Sequence, residues 1–196
     1  MSHEGRANSS RPLEVAFVRT VGEADRLYVK RSDGTEAHWS APTYGDALPH
    51  DLVHLVVESA FDLRRGFWGR VDEGVDPKIV SDQANRKGGA DKYAAYGSDQ
   101  AELVLAEALA TAPWAEERVD DGIAEAFARM RASGPPVQVS AERVREVRGV
   151  LAALTTRWRD LRPKGALNLT FDRTAPRQSF ETMLELAGLK AGQGTQ

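Results

Sequence analysis

The chain has 196 residues, 41% apolar and 28% charged, with a formal net charge of −3. That composition belongs to an ordinary globular protein, long enough to bury a core, and excludes a disordered chain and a protein built to bind a polyanion such as nucleic acid. It holds no cysteine, so disulfides and thiolate metal sites are excluded and any metal must be held by imidazole and carboxylate.

Residues 1–11 and 190–196 carry too little apolar surface to order themselves, which predicts a single domain over 12–189 between two tails. The first ten residues lack the apolar run of an export signal, and no stretch approaches the roughly 18 apolar residues of a membrane span. A soluble, cytoplasmic, monomeric protein with no membrane partner is expected. Twenty arginines stand against six lysines, a skew read as compositional.

Leu13 to Arg19 alternates with Leu13, Val15 and Phe17 on one face, and Arg26 to Arg31 does so with Leu27 and Val29, the period of half-buried strands. Asp33-Gly34 signals a two-residue hairpin turn. That turn would pair Val29 with His38 and Tyr28 with Trp39, placing His38 on the face of Leu27 and Val29. Which face meets the core is left open. The period then becomes helical. Pro49 suits the first turn of a helix reaching about Leu63, and Gly66 to Val71 predicts a short second helix with aromatic packing.

Asp99 and Glu102 form a capping-box-like start to an alanine-rich helix that must stop near Pro113. A further helix is expected from Ala115 to Met130, ended by Ser133-Gly134-Pro135-Pro136. Ser140 caps the next, in which Val144, Val147, Leu151, Leu154, Trp158 and Leu161 recur at three and four residues. Leu167 to Phe171 alternates as a late strand able to rejoin the early sheet. The fold class is α+β: a small antiparallel meander packed against about five helices.

The long helix carries Arg143, Arg148, Arg157 and Arg162 at positions flanking its apolar stripe, which would repel their copies in a parallel coiled coil. Residues 99–125 hold eight acidic residues and one basic one. The two segments are therefore expected to pack together within one chain. Phe67, Trp68, Trp114 and Trp158 are expected in the core.

Two of the four histidines, His50 and His54, lie one helical turn apart, with Glu58 one turn further on. In a helix the three are about 40° apart in turn, a strip at the edge of the apolar arc. Two imidazoles at this spacing can chelate one divalent ion, zinc or similar, with Glu58 either as third ligand or as the group that holds His54 by a hydrogen bond. His38 and Asp51 are candidate additional ligands.

The stretch His50-Asp51-Leu52-Val53-His54 resembles the His-Glu-x-x-His helix of zinc metalloproteases, with Asp51 where that family has its general base. Asp is one methylene shorter, so its carboxylate would fall about 1.5 Å short of that position. The stretch is also similar to the His-Asp-x-x-His zinc motif of the coenzyme Q biosynthesis scaffold family, although Gly66 stands where that family has a further glutamate. The His50-Asp51 doublet is similar to that of HD-domain phosphohydrolases, which also place a histidine on an upstream helix. Over Tyr44 to Gly74 the chain resembles a group of uncharacterised bacterial proteins with a Leu-Pro-His-Asp-x-x-His-x-x-Val-Glu helix and a Gly-x-Trp/Phe-Gly turn. That last resemblance implies that the two segments form one unit and implies no activity.

Two functions follow as alternatives. The first is a metal-binding or metal-dependent, hydrolase-like protein using His50, His54 and Glu58. The second is a non-catalytic interaction or regulatory module in which the histidines are structural. The position of His38 discriminates: on the helix side three imidazoles converge, and on the far side only two remain.

Overall fold

A computed structural model describes residues 11–41, 43, 45–80, 100–114 and 140–189. Residues 1–10 of the N-terminal tail expected over 1–11, the C-terminal tail over 190–196, the Asp99 cap and the helix from Ala115 to Met130 lie outside the described residues.

Four strands form one antiparallel sheet: β1 (Leu13–Val18), β2 (Arg26–Lys30), β3 (Glu36–Ser40) and β4 (Ala166–Phe171), in the order β3-β2-β1-β4. The late strand rejoins the meander beside β1, pairing Leu13 with Phe171 and Phe17 with Leu167. Strand alternation then aligns two apolar rows across the inner face, Leu169-Val15-Val29-Ala37 and Leu167-Phe17-Leu27-Trp39.

The hairpin register differs by one residue from the two-residue turn. Tyr28 pairs with His38 and Leu27 with Trp39. The Gly34 N–H donates to the Arg31 carbonyl and the Arg31 N–H to the Thr35 carbonyl, while Gly34 takes φ +88°. This is a three-residue loop, a type I turn followed by a left-handed glycine, and Asp33 tightens it by accepting from the Thr35 amide and hydroxyl. One extra loop residue exchanges the two faces of β3. Trp39 therefore turns toward the core, and His38 is exposed on the outer face, stacked on Tyr28 at 6.1 Å between ring centroids.

Among the described residues the main helices are α1 (His50–Ala60), α2 (Phe67–Asp72), α3 (Gln100–Ala110), α4 (Ala141–Asp160) and α5 (Pro176–Leu186); α5 packs on β4, and Trp68 of α2 meets Phe17 of β1. Pro49 sits just outside α1 in extended conformation, and its carbonyl accepts from Leu52 and Val53. α1 stops at Ala60, three residues earlier than expected, because Asp62 takes φ +55° and the Leu63 N–H returns to the Glu58 carbonyl. The Ser140 hydroxyl accepts from the Arg143 N–H and caps α4, whose buried stripe runs Val144, Val147, Val150, Leu151, Leu154 and Trp158. α5 was not anticipated. Pro176 opens it, Asp172 holds the preceding turn by accepting from Thr174 and Ala175, and Phe180, Met183 and Leu184 face inward.

α1 is the hub, packed against α2, α3, α4 and α5. Its apolar residues Leu52, Leu55, Val56 and Val57 are fully buried, as are Trp68 and Trp158. The acidic helix α3 packs on α1 rather than along α4, which corrects the expected pairing within 100–110. The reason is electrostatic: α3 spends its carboxylates on groups of the α1–α2 unit. No helix among the described residues is long and apolar enough to cross a membrane.

Candidate metal centre

The carboxylate of Glu58 organises the α1–α2 unit. It is fully buried, and its two oxygens accept from the backbone N–H groups of Phe67 (2.8 Å) and Trp68 (2.9 Å) at the start of α2. Those are donors that no turn of α2 can satisfy, so the side chain caps the helix from outside. A Cβ on Gly66 would lie 2.5 Å from the Glu58 carboxyl carbon, so only glycine leaves room for the carboxylate. Trp68 closes the other side, its indole N–H donating to the Asp51 carbonyl at 2.8 Å and its ring edge-on to Phe17.

Of the histidine strip, His50 lies half-buried at the boundary, as expected, whereas His54 and Glu58 are buried. His54 is 2% exposed because α3 and the 64–68 segment cover it. Glu58 Oε1 lies 3.1 Å from His54 Nδ1, and Glu107 of α3 places Oε2 3.2 Å from His54 Nε2. Glu107 Oε1 lies 3.7 Å from His50 Nε2, and the two imidazoles meet edge to face at 4.8 Å between centroids. His50, His54 and Glu107 thus offer three ligand atoms within 4.8 Å of one another. Glu102, one and a half turns earlier on α3, accepts from the backbone N–H groups of Arg64 and Arg65, both at 2.7 Å, and so fixes α3 against the loop before α2.

Of the two parts open to Glu58, the structure shows the hydrogen bond to His54 and not a place in the ligand cluster. Glu58 faces His54 from behind, on Nδ1, and is occupied by two backbone donors; it orients the imidazole and is not in the three-atom cluster. Asp51 turns to the sheet, where Oδ2 accepts from the Trp39 indole at 2.9 Å, and so lies outside the cluster. His38 is on the opposite face of the sheet, for the register reason given above, and two imidazoles converge among the described residues. Glu107 was missed. Its signal is a lone carboxylate within the run Leu103-Val104-Leu105-Ala106-Glu107-Ala108-Leu109-Ala110, where an unpartnered charge would be costly to bury.

The charges are shared across this cluster. Burial pushes the His54 imidazolium down, but hydrogen bonds to Glu107 and Glu58, with their negative charge, outweigh it and raise His54 to about 9. Burial favours neutral Glu107, yet hydrogen bonds to His50 and His54 hold its carboxyl well below the usual range. Burial pushes Glu58 up, opposed by His54 and the amides of Trp68 and Phe67, and it pushes Asp51 up, opposed by the Trp39 indole. With its pKa raised to about 9, His54 in metal-free protein favours the imidazolium form at neutral pH, in which both ring nitrogens donate, one toward Glu58 and one toward Glu107.

A histidine raised from 6.5 to about 9 contributes stability that is complete below pH 6.5 and disappears as pH rises through 9. Glu107, being depressed, contributes stability above its ordinary 4.5 that is lost on acidification. Urea midpoints of the metal-free protein should therefore be highest between those limits and fall from pH 6.5 to 9, and the alkaline fall should vanish in His54→Gln. A flat alkaline profile in the wild type would show that His54 is neutral.

No known protein family, no curated protein and no solved structure matches the chain. What the site does must be read from its own chemistry.

Proposed function

We propose that His50, His54 and Glu107 bind a divalent metal ion, with zinc as the best fit. The observation that carries this is the convergence of two imidazoles and a carboxylate from two helices, ligand atoms within 4.8 Å, in a chain that has no cysteine thiolate to offer. Ligands about 2.0–2.1 Å from a tetrahedral ion stand about 3.3 Å apart. Glu107 meets His54 through Oε2 at 3.2 Å and His50 through Oε1 at 3.7 Å, and one ligand atom from each residue lies within 4.8 Å of the others, so the side chains would draw together by up to about 1.5 Å to reach that geometry. Imidazole with carboxylate suits zinc-like ions better than magnesium or calcium.

The surroundings support the same reading. Glu58 accepts from Nδ1–H and so presents the Nε2 lone pair of His54 to the ion, the role of a carboxylate behind a metal-bound histidine. His50 and Glu107 side chains are 40% and 24% exposed, so the cluster opens to solvent on their side. Three protein ligands leave a fourth position for an outside ligand, where a bound ion supplies Lewis-acid chemistry. Asp51 is engaged by Trp39 and is not a general base for that position, which argues against a metalloprotease-like arrangement.

A second reading is favoured by one observation: His54 already lies between two carboxylates, 3.1 and 3.2 Å away, a completed ionic clamp joining α1, α2 and α3 without any metal. Metal analysis of untagged protein separates the two. The metal reading predicts about one equivalent of zinc per chain, lost in His50→Ala and in His54→Ala, and a rise of about 5–10 °C in Tm when zinc is added at about 100 times Kd. Metal-free protein whose Tm does not respond to zinc would leave the clamp as the function of the cluster.

A further inference from the structure

We propose that the groove between the start of α1, the end of α3 and the middle of α4 binds an elongated amphipathic anion, an acyl chain ending in a carboxylate. The groove encloses about 760 Å³, the size of a small-molecule site. Leu48, Val53 and Trp114 line it with apolar surface, and the small residues Ala110 and Ala152 leave its width to the ligand. Apolar walls open to this degree favour a chain-like apolar body over a polar one.

The charge of the head group follows from α4. Arg148 and Arg159 both line the groove and lie eleven residues apart on one helix, about 16 Å along its axis. Neither guanidinium has an ion-pair or hydrogen-bond partner among the described residues. Thr155 and Thr156 lie between them, but their hydroxyls donate to the Leu151 and Ala152 carbonyls, so the guanidiniums are the charged donors of this groove. Two separated cations in a chain of net charge −3 are complementary to an anion. A single guanidinium at either end matches one carboxylate in bidentate geometry, whereas a phosphate dianion calls for a cluster of cations.

The groove adjoins the metal centre. Val53 stands next to His54 and one turn from His50 on α1, and Ala110 one turn beyond Glu107 on α3. An occupied groove therefore lays its apolar chain beside the triad, while its own binding needs no metal.

Calorimetric titration of the metal-free full chain tests this with decanoate, decanol, decyltrimethylammonium and decyl phosphate. Decanoate should bind saturably at one per chain, about tenfold or more tighter than decanol or the cationic amphiphile. The double variant Arg148→Gln/Arg159→Gln should lose about tenfold in decanoate affinity, with decanol binding and the thermal midpoint unchanged. Decanoate should also change tryptophan emission in the wild type and not in Trp114→Phe, which places the ligand in this groove. Equal affinities for decanoate and decanol, or a double variant that binds decanoate as the wild type does, would overturn the proposal. Tighter binding of decyl phosphate would overturn the carboxylate assignment.

Discussion

Glu58→Ala should destabilise the fold by about 3–5 kcal/mol, the cost of breaking a buried charged network from one side. The carboxylate is fully buried and serves three donors at once: His54 Nδ1, Phe67 N and Trp68 N. Its removal leaves two helix-start amides and an imidazolium facing a void, so the penalty is desolvation without compensation rather than the loss of one favourable contact. In a chain of this length about 2–4 °C of Tm accompanies each kcal/mol, and a fall of about 6–20 °C is expected. Gly66→Ala acts on the same point by volume, because its Cβ would stand 2.5 Å from the same carboxylate. Urea denaturation with an unchanged m-value reads both. A Glu58→Ala protein within 1 kcal/mol of the wild type would mean that water replaces the carboxylate and that Glu58 is not the clamp of the α1–α2 unit.

Glu107→Gln should separate folding from metal binding. The amide keeps the size of the side chain and one acceptor oxygen, so the contact with His54 survives in part and the stability cost is about 1–3 kcal/mol. The negative charge that completes the ligand set is gone, and zinc affinity should fall by at least about 100-fold. Glu58→Gln differs in kind, because Glu58 touches the imidazole and not the proposed ion; its effect on zinc affinity is an orienting one of about 10–100-fold, accompanied by a large loss of stability. A Glu107→Gln variant that binds zinc as the wild type does would remove Glu107 from the site, even if the histidines still mattered.

The elements that were legible in the sequence are those with a clean period or a strong end signal. β1, β2 and α4 follow from alternation, from a three-and-four repeat and from the Ser140 cap. The late strand was recognised by its alternation, although only the structure shows that it pairs with β1. The hairpin register was not legible, because Asp33-Gly34 serves equally in a two-residue turn and in a three-residue loop with glycine in the left-handed position. That single residue decides which side His38 takes, and with it whether a third imidazole reaches the helix. α5 was hidden by the turn residues Asp172 to Pro176 at its start.

For the site, the spacing of His50 and His54 is local and was read directly, whereas their carboxylate partner is 53 residues away from His54 on α3. A nearby carboxylate in register, Glu58, was the natural candidate from sequence. Helical spacing places it beside His54 but says nothing of the two amides of α2 that claim it. The same amides explain why Gly66, read as a departure from a zinc motif, is required by this fold. Burial was misjudged for His54 and Glu58, though not for His50, for a related reason: a helical wheel shows one helix's surface and not the second helix that covers it.

The central claim is that His50, His54 and Glu107 form one metal site, and zinc titration of the metal-free chain by calorimetry, with Glu107→Gln alongside, tests it most directly. One saturable zinc site per chain in the wild type, weakened at least about 100-fold in Glu107→Gln, is the predicted result. No saturable binding in the wild type, or the same isotherm in both proteins, would contradict it.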